Sequence, residues 1–299
     1  MAGLAAGRRL QDNGWRVIVL DKGRVPGGRM ATKTFDNGRF DYGAQFFTLR
    51  EQALAELASP WIGAGLAGPW GERRFRAKDG MRALMETMAA GLDVRCGVRV
   101  TRVAERAGGW IAELETGDQL AAATALLTAP VPQSLTLLEQ GGVVLNDLDW
   151  ALLERATYWK SLTILARIDG EIRLGPAGFA EPRDGVLAWL ADNHAKGVSA
   201  VPGCLTIHAE HAFSEAHWDD SASVVAPEIL AAAAPFYAGR VRSYFLHRWR
   251  YAEPAVQLPA LYHGIGRLAF AGDVFGGPRV GGAAASGLAA ADYLLETAR

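Results

Sequence analysis

The period of the apolar positions switches several times along the chain, and each switch marks an element. Residues 2–13 place small and apolar side chains at helical spacing and stop at Asn13-Gly14, a C-terminal signal. The next run, WRVIVL, is short, apolar and β-branched, and it ends at Asp21, which predicts a buried strand. Helix, turn, strand, acid is the order of a parallel βαβ unit entered after its first strand. Gly27, Gly28 and Gly38 then punctuate a loop-rich stretch up to GAQFF. RALMETMAAGL returns to helical period, with Leu84, Met85, Met88 and Leu92 on one face. DVRCGVRVTRVAER and GWIAELETGDQLAAATALLTAP predict strands joined by glycine turns, the last apolar run stopping at Pro130.

From about 131 to 261 the pattern is mixed. SLTILARI, VLAWLA, CLTIHAEHAF and RVRSYFLHRWRY are strand-like, and so many strands predict an antiparallel sheet. One helix, SVVAPEILAAAAPFY, is predicted there, started by Pro227. The end of the chain returns to the opening logic: RLAFAGD is a strand into a glycine loop, and AAASGLAAADYLLET is a helix. The predicted fold is α/β: a Rossmann-like nucleotide-binding domain interrupted by a substrate domain with a mainly antiparallel sheet. Boundaries follow at 1–48, 80–132 and 262–299 for the first, and 49–79 and 133–261 for the second.

Composition narrows the classes. The 299 residues, 50% of them hydrophobic, suffice for one large domain or two smaller ones. A net charge of −1 with interspersed signs gives no basic face for nucleic acid. Two distant cysteines, Cys96 and Cys204, predict a reducing compartment rather than a disulfide framework. No His/Cys cluster has metal-ligand spacing. No apolar run reaches the roughly 18–20 residues of a membrane span, and no secretory leader pattern opens the chain. A cytoplasmic protein is expected.

The opening unit carries the first chemistry. A dinucleotide fold runs strand, G-x-G-x-x-G, helix, with an acid about 20 residues on for a ribose hydroxyl. Gly3 fits the third glycine and Asp21 the acid. The stretch DKGRVPGGRMATKTFDNGRFDYGAQFFT adds a Gly-Gly-Arg close behind that acid. Gly27 and Gly28 allow close backbone approach, and Arg29 offers a charged fork to phosphate or flavin oxygens.

These residues resemble the signature of the flavin-containing amine oxidase superfamily, and the extension through GRFDYGAQFFT resembles its renalase-like group. AFAGDVFGGPRVGGAAASGLAAADYLL resembles the superfamily's second flavin motif. HRWRYAEP and VLAWLADNHAKG are similar to blocks of bacterial renalase-like proteins. The resemblance implies noncovalent FAD, held by Gly3, Asp21, Lys22, Gly28, Arg29, Met30, Gly43, Ala44, Val100, Ala129, Gly272, Asp273, Val280 and Gly281. Asp273 would accept from a ribityl hydroxyl. Val280 and Gly281 would offer N–H groups to the flavin, and a helix starting near Ala283 would aim its positive end at the ring. In that group the chain starts with a strand and a complete glycine motif, so this sequence is expected to be a mis-started or truncated copy that holds flavin or folds poorly.

The implied reaction is oxidation of misreduced dihydro-NAD(P) isomers, with oxygen as acceptor, giving NAD(P)+ and hydrogen peroxide. A dihydropyridine becomes aromatic on losing hydride, so no general base is required, and His208, His211 and His217 are read as satisfied or exposed. Gln45 and Phe46 are expected to face the substrate, Trp249 to wall the site, and Lys160 is a candidate near the flavin. The alternatives are amine oxidation, with Tyr244, Trp249, Tyr251 and Tyr262 as available cage aromatics, or a flavin-free remnant that binds a nucleotide or partner.

Overall fold

The structure, a computed structural model, describes residues 1–298. Helix α1 (Ala2–Asp12) buries Leu4, Ala5, Ala6 and Leu10 and turns at Gly14, φ 82°, into β1 (Ile18–Asp21). A hairpin follows, β2 (Thr32–Phe35) and β3 (Gly38–Asp41), turned by Asp36-Asn37 at φ 42° and 61°. Asparagine and aspartate tolerate that left-handed region best among residues with a Cβ. Next come α2 (Gln52–Gly63), the hairpin β4 (Ala67–Pro69) and β5 (Phe75–Ala77), α3 (Met81–Ala89) and β6 (Asp93–Cys96).

A three-stranded meander, β7 (Val100–Arg106), β8 (Gly109–Leu114) and β9 (Gln119–Ala122), leads to β10 (Ala125–Leu127), α4 (Val131–Gln140) and α5 (Asp147–Glu154). The second half holds β11 (Tyr158–Ile172), β12 (Phe179–Ala180), β13 (Leu187–Asp192), β14 (Cys204–Ala209), α6 (His211–Ala216), α7 (Ala222–Ala233) and β15 (Tyr237–Pro254). The chain closes with β16 (His263–Ile265), β17 (Leu268–Phe270), α8 (Asp273–Gly276) and α9 (Val280–Thr297).

The parallel layer comes in two pieces. β1 pairs in parallel with β6 from Ile18↔Asp93 to Asp21↔Cys96. β10 pairs in parallel with β17 from Ala125↔Leu268, and β16 adds an antiparallel edge. The free edges of β1 and β10 both border one cleft, with α1 beside them. α1 and α9 pack together through Ala2, Ala6, Leu10, Ala290, Ala291 and Leu294. Gly287 permits that approach, because a Cβ there would lie 2.2 Å from the Ala2 carbonyl oxygen.

The second layer is the predicted antiparallel sheet, ordered β12-β13-β14-β11-β15. Leu162, Ile164, Leu190, Leu205 and Ile207 form its core, with Val225 and Ile229 of α7 against it. Alternation along the strands sends one set of side chains to this core and the other to the cleft.

Several elements differ from the sequence expectation. The strand in CLTIHAEHAF ends at Ala209, and the following residues form α6. α7 starts at Ala222 behind Ser221, so Pro227 sits inside the helix rather than at its start. α9 starts at Val280, not near Ala283. The pattern predicted none of α2, α4 and α5. α2 shares a core with Leu4, Met81 and Met85, while Leu135, Leu138 and Leu153 of α4 and α5 pack with Leu127 and Phe270. α2 therefore shares its core with α1 and α3, and α4 and α5 share theirs with β10 and β17.

Candidate functional site

One cleft of about 2860 Å³ runs between the layers. Ordinary small-molecule pockets hold roughly 300–1,000 Å³, so this cleft has room for a dinucleotide and a second molecule. Its nucleotide end lies at the carboxyl end of β1, where α/β sheets bind ligands. Met1, Ala2 and Gly3, at the start of α1, line it, as do Asp21, Lys22, Gly28, Arg29, Met30, Val100, Ala129, Gly272, Asp273 and Val280. Gly43, Ala44, Gln45, Phe46 and Trp249 line the other arm. All but two of the expected site residues thus reach a single space.

The exceptions are Gly281 and Lys160. Gly281 turns away from the cleft: a Cβ there would lie 2.1 Å from Glu51 Oε2, so the residue packs on Glu51 and only Val280 reaches the opening. Lys160 corrects the expectation more fully. Its ammonium pairs with Glu215 at 2.8 Å and sits 5.2 Å from the Trp218 ring, outside the cleft wall.

The two sequence motifs interlock. Arg29 meets Asp273 through two hydrogen bonds, Nη1 to Oδ2 at 2.5 Å and Nη2 to Oδ1 at 2.8 Å. Ala44 N–H donates to the Arg29 carbonyl at 2.9 Å. Gly43 makes this possible, since a Cβ there would lie 1.9 Å from that same oxygen. Asp21 Oδ1 accepts from Gly23 N–H at 2.7 Å. Cβ atoms added at Gly28 or Gly272 would meet no protein atom within 4 Å, because both glycines face open space.

Residues present fit FAD. Two helix N-termini, those of α1 and α9, open on the cleft and favour negative charge. An acid stands at the end of β1 for a ribose, and the glycines leave the wall bare where a cofactor backbone would press. Both cysteines are free and neither lines the cleft, so the wall offers no thiol for covalent attachment.

Beyond the cofactor end lies a polar network that sequence reading missed. Lys196 and Asp41 are fully buried and joined Nζ to Oδ2 at 2.7 Å. Burial pushes the Lys196 ammonium toward neutrality, and the Asp41 carboxylate opposes that shift. Asp41 Oδ1 also accepts from Thr32 Oγ1 at 2.5 Å and Met81 N–H at 2.9 Å. Lys196 reaches Gln45 Oε1 at 3.4 Å, while the Gln45 amide nitrogen donates to the Asp41 carbonyl at 2.7 Å and meets His208 Nε2 at 3.1 Å. The Gln45 amide is thereby engaged on the protein side. Lys196 sits in NHAKG, whose glycine and charge read as a surface turn, and no periodic signal marks it as buried.

His208 is satisfied, as expected, yet it lies in the cleft wall. Its Nδ1 meets Thr163 Oγ1 at 2.9 Å, and burial with the nearby Lys196 charge lowers its pKa to about 3. His247, also on the wall, falls to about 4, mainly through burial. Both rings are neutral at pH 7. His211 borders the cleft and stacks on Trp159, while His217 pairs with Asp220 at 2.8 Å away from it. Trp249 donates its indole N–H to the Tyr42 carbonyl at 2.8 Å and stacks on Tyr42. Tyr251 lines the cleft, whereas Tyr244 is exposed and Tyr262 packs on Tyr293.

Comparison with known proteins agrees with this geometry. Residues 1–59 match the NAD(P)-binding Rossmann-like domain, and residues 61–151 match the flavin containing amine oxidoreductase family. The fold is similar to a redesigned putrescine oxidase double mutant, with a TM-score of 0.77 at 15% identity, over 99% of this chain and 97% of that one. It is similar also to cyclohexylamine oxidase from Brevibacterium oxydans IH-35A, with a TM-score of 0.75 at 14% identity, over 99% and 96%. A phytoene desaturase (neurosporene-forming) of Cereibacter sphaeroides is 47% identical over 57 residues, 19% of this chain and 11% of that protein. Two family models thus fall one after the other along residues 1–151, a Rossmann-like domain and then a flavin containing amine oxidoreductase segment, and the architecture is similar to that of the amine oxidases compared. Among the described residues, no helix is long and apolar enough to cross a membrane.

Proposed function

We propose that the chain is a renalase-like FAD-dependent oxidase that takes a hydride from misreduced dihydro-NAD(P) isomers. The substrate loses hydride and becomes aromatic NAD(P)+. Oxygen takes the two electrons with two protons and leaves as hydrogen peroxide. FAD, when bound, supplies the two-electron acceptor between them. Asp21, Arg29, Asp273 and the bare glycines would hold it, with Gly3 and Val280 at the two helix starts. Gln45, Phe46 and Trp249 would wall the reacting face and keep water away.

The observation that carries this reading is the chemistry of the substrate arm. Arg50, Arg73, Arg74 and Arg183 line the cleft with Glu72 and Glu181, a local excess of positive charge that favours a phosphate-bearing substrate over a cation. The histidines on its wall are neutral, and His208 is hydrogen-bonded at both nitrogens. Hydride loss from a dihydropyridine needs no base, which matches that wall. The test is product balance: mixed with air and the 2- or 6-dihydro isomer of NAD(P)H, the flavin-loaded protein should form peroxide and NAD(P)+ in equal amounts. No turnover of either isomer would contradict the proposal.

A second reading, amine oxidation, has the named fold neighbours in its favour, putrescine oxidase and cyclohexylamine oxidase. Their identity to this chain is low enough that they share its architecture without fixing its substrate. Peroxide formation from putrescine or cyclohexylamine, with none from the dihydro isomers, would select it. Residence in the cytoplasm belongs to the same proposal, since dinucleotides are substrates of that compartment.

A further inference from the structure

Arg74 follows β4, in the hairpin that leads into β5, and its guanidinium is held among three rings. Its Cζ lies 4.7 Å from the Phe46 centroid, 4.7 Å from Phe179 and 5.0 Å from Trp189. Phe179 and Trp189 stack on each other at 4.9 Å and 8°. Trp70 closes the box edge-on and donates its indole N–H to the Ala177 carbonyl at 2.7 Å. One Arg74 Nη donates to Glu181. A guanidinium carries five N–H donors, and Glu181 is its one hydrogen-bond partner among the described residues. The guanidinium sits beside the Phe179–Trp189 stack and against Phe46, and Arg74 lines the cleft together with Arg73 and Arg183, which carry charge of the same sign.

We propose that Arg74 is the specificity residue of the substrate arm, reading a phosphate group of a nucleotide substrate and turning cationic amines away. This rests on the hydride-oxidation reading and names what selects its substrate. An aromatic box is ordinarily a receptor for an ammonium group. Here the protein's own cation fills it. An incoming ammonium would meet a like charge already lying against these rings. A phosphate would meet a planar fork already held by its ring contacts and by Glu181, so little side-chain freedom is lost on binding. Lysine in this position would keep the charge but not the fork.

The experiment measures equilibrium binding of nicotinamide mononucleotide and of nicotinamide riboside, which differ by the phosphate, through quenching of tryptophan fluorescence. Wild-type protein is expected to favour the mononucleotide by about tenfold or more. Arg74→Ala should erase that preference while riboside binding stays within about twofold. Arg74→Lys should restore only part of it. Glu181→Gln, which frees the guanidinium without emptying the box, should tighten the mononucleotide; this variant keeps the test open if Arg74→Ala unfolds. Equal binding of both ligands by wild type, or an unchanged preference in Arg74→Ala, would overturn the role of Arg74 and leave hydride oxidation standing. Binding of neither ligand, together with reduction of the flavin by putrescine, would overturn the oxidation reading itself.

Discussion

Arg29 and Asp273 stand 244 positions apart and meet in a two-toothed ion pair in the wall of the cleft. Each belongs to a different one of the two stretches that resemble flavin motifs, so the pair ties the two ends of the chain to one proposed cofactor site. Its side chains are 30% and 12% exposed, which makes it a largely dry contact.

Removing one tooth should therefore do two things. Asp273→Ala leaves Arg29 partly buried with only the Ala252 carbonyl, at 3.3 Å, as partner. Unfolding in urea should show a loss of about 2–3 kcal/mol, below the roughly 3–5 kcal/mol of a fully buried pair because Arg29 keeps part of its solvent contact. The flavin-to-protein ratio after gel filtration should fall at the same time. Asp273→Asn keeps an acceptor and should lose less of both. Retention of full flavin content by Asp273→Ala would contradict the assignment of this pair to the cofactor site.

The Lys196–Asp41 pair makes a stability prediction free of any cofactor. Lys196→Met strands a fully buried carboxylate, and the expected loss is about 3–5 kcal/mol by denaturant unfolding. The double variant Lys196→Met with Asp41→Asn should recover part of it, because no lone charge then remains. Losses that simply add in the double variant would show that the two groups are uncoupled.

His208 and His247 set a pH dependence. Both have folded pKa values, about 3 and about 4, below the ordinary 6.5 of the unfolded chain. Between those limits the unfolded state binds more protons, so the stabilisation is complete above about pH 6.5 and drains away on acidification. One such group contributes a slope of at most about 1.4 kcal/mol per pH unit. Melting temperature should fall from pH 7 to pH 4.5, and His208→Gln should flatten the curve. A wild-type profile that is level across this window would contradict the neutral, buried state of these rings.

Lys160 gives the opposite kind of prediction. Its partner Glu215 is about a third exposed, and exposed pairs contribute roughly 0–1 kcal/mol. Lys160→Met should leave the flavin spectrum, the rate of reduction and the stability nearly unchanged. A large effect on reduction would restore it to the site.

Much of the cofactor end was legible because its residues obey backbone rules. Gly28, Gly43 and Gly272 are where a side chain would fill the cleft or strike a neighbouring carbonyl, and Asp21 ends a strand whose apolar run is plain. Those constraints are local and leave a mark in the sequence. Lys196 leaves none, because it lies in a turn and its partner Asp41 is brought to it by β3 from 155 positions away. Lys160 misled for the related reason that alternation along β11 fixes which face a residue takes only once the sheet is assembled. The helices α4 and α5 were hidden by short, irregular apolar spacing beside prolines and glycines, and their packing on β10 and β17 supplies the stability that propensity alone does not.

The central claim is that this cleft holds FAD and passes it a hydride from a dihydronicotinamide. An anaerobic titration followed by visible absorbance tests it most directly. The purified protein should show the flavin bands, and the 2- or 6-dihydro isomer of NAD(P)H should bleach them with one equivalent, while putrescine leaves them intact. A flavin that only the amine bleaches, or a folded protein that takes up no flavin at all, would contradict the account.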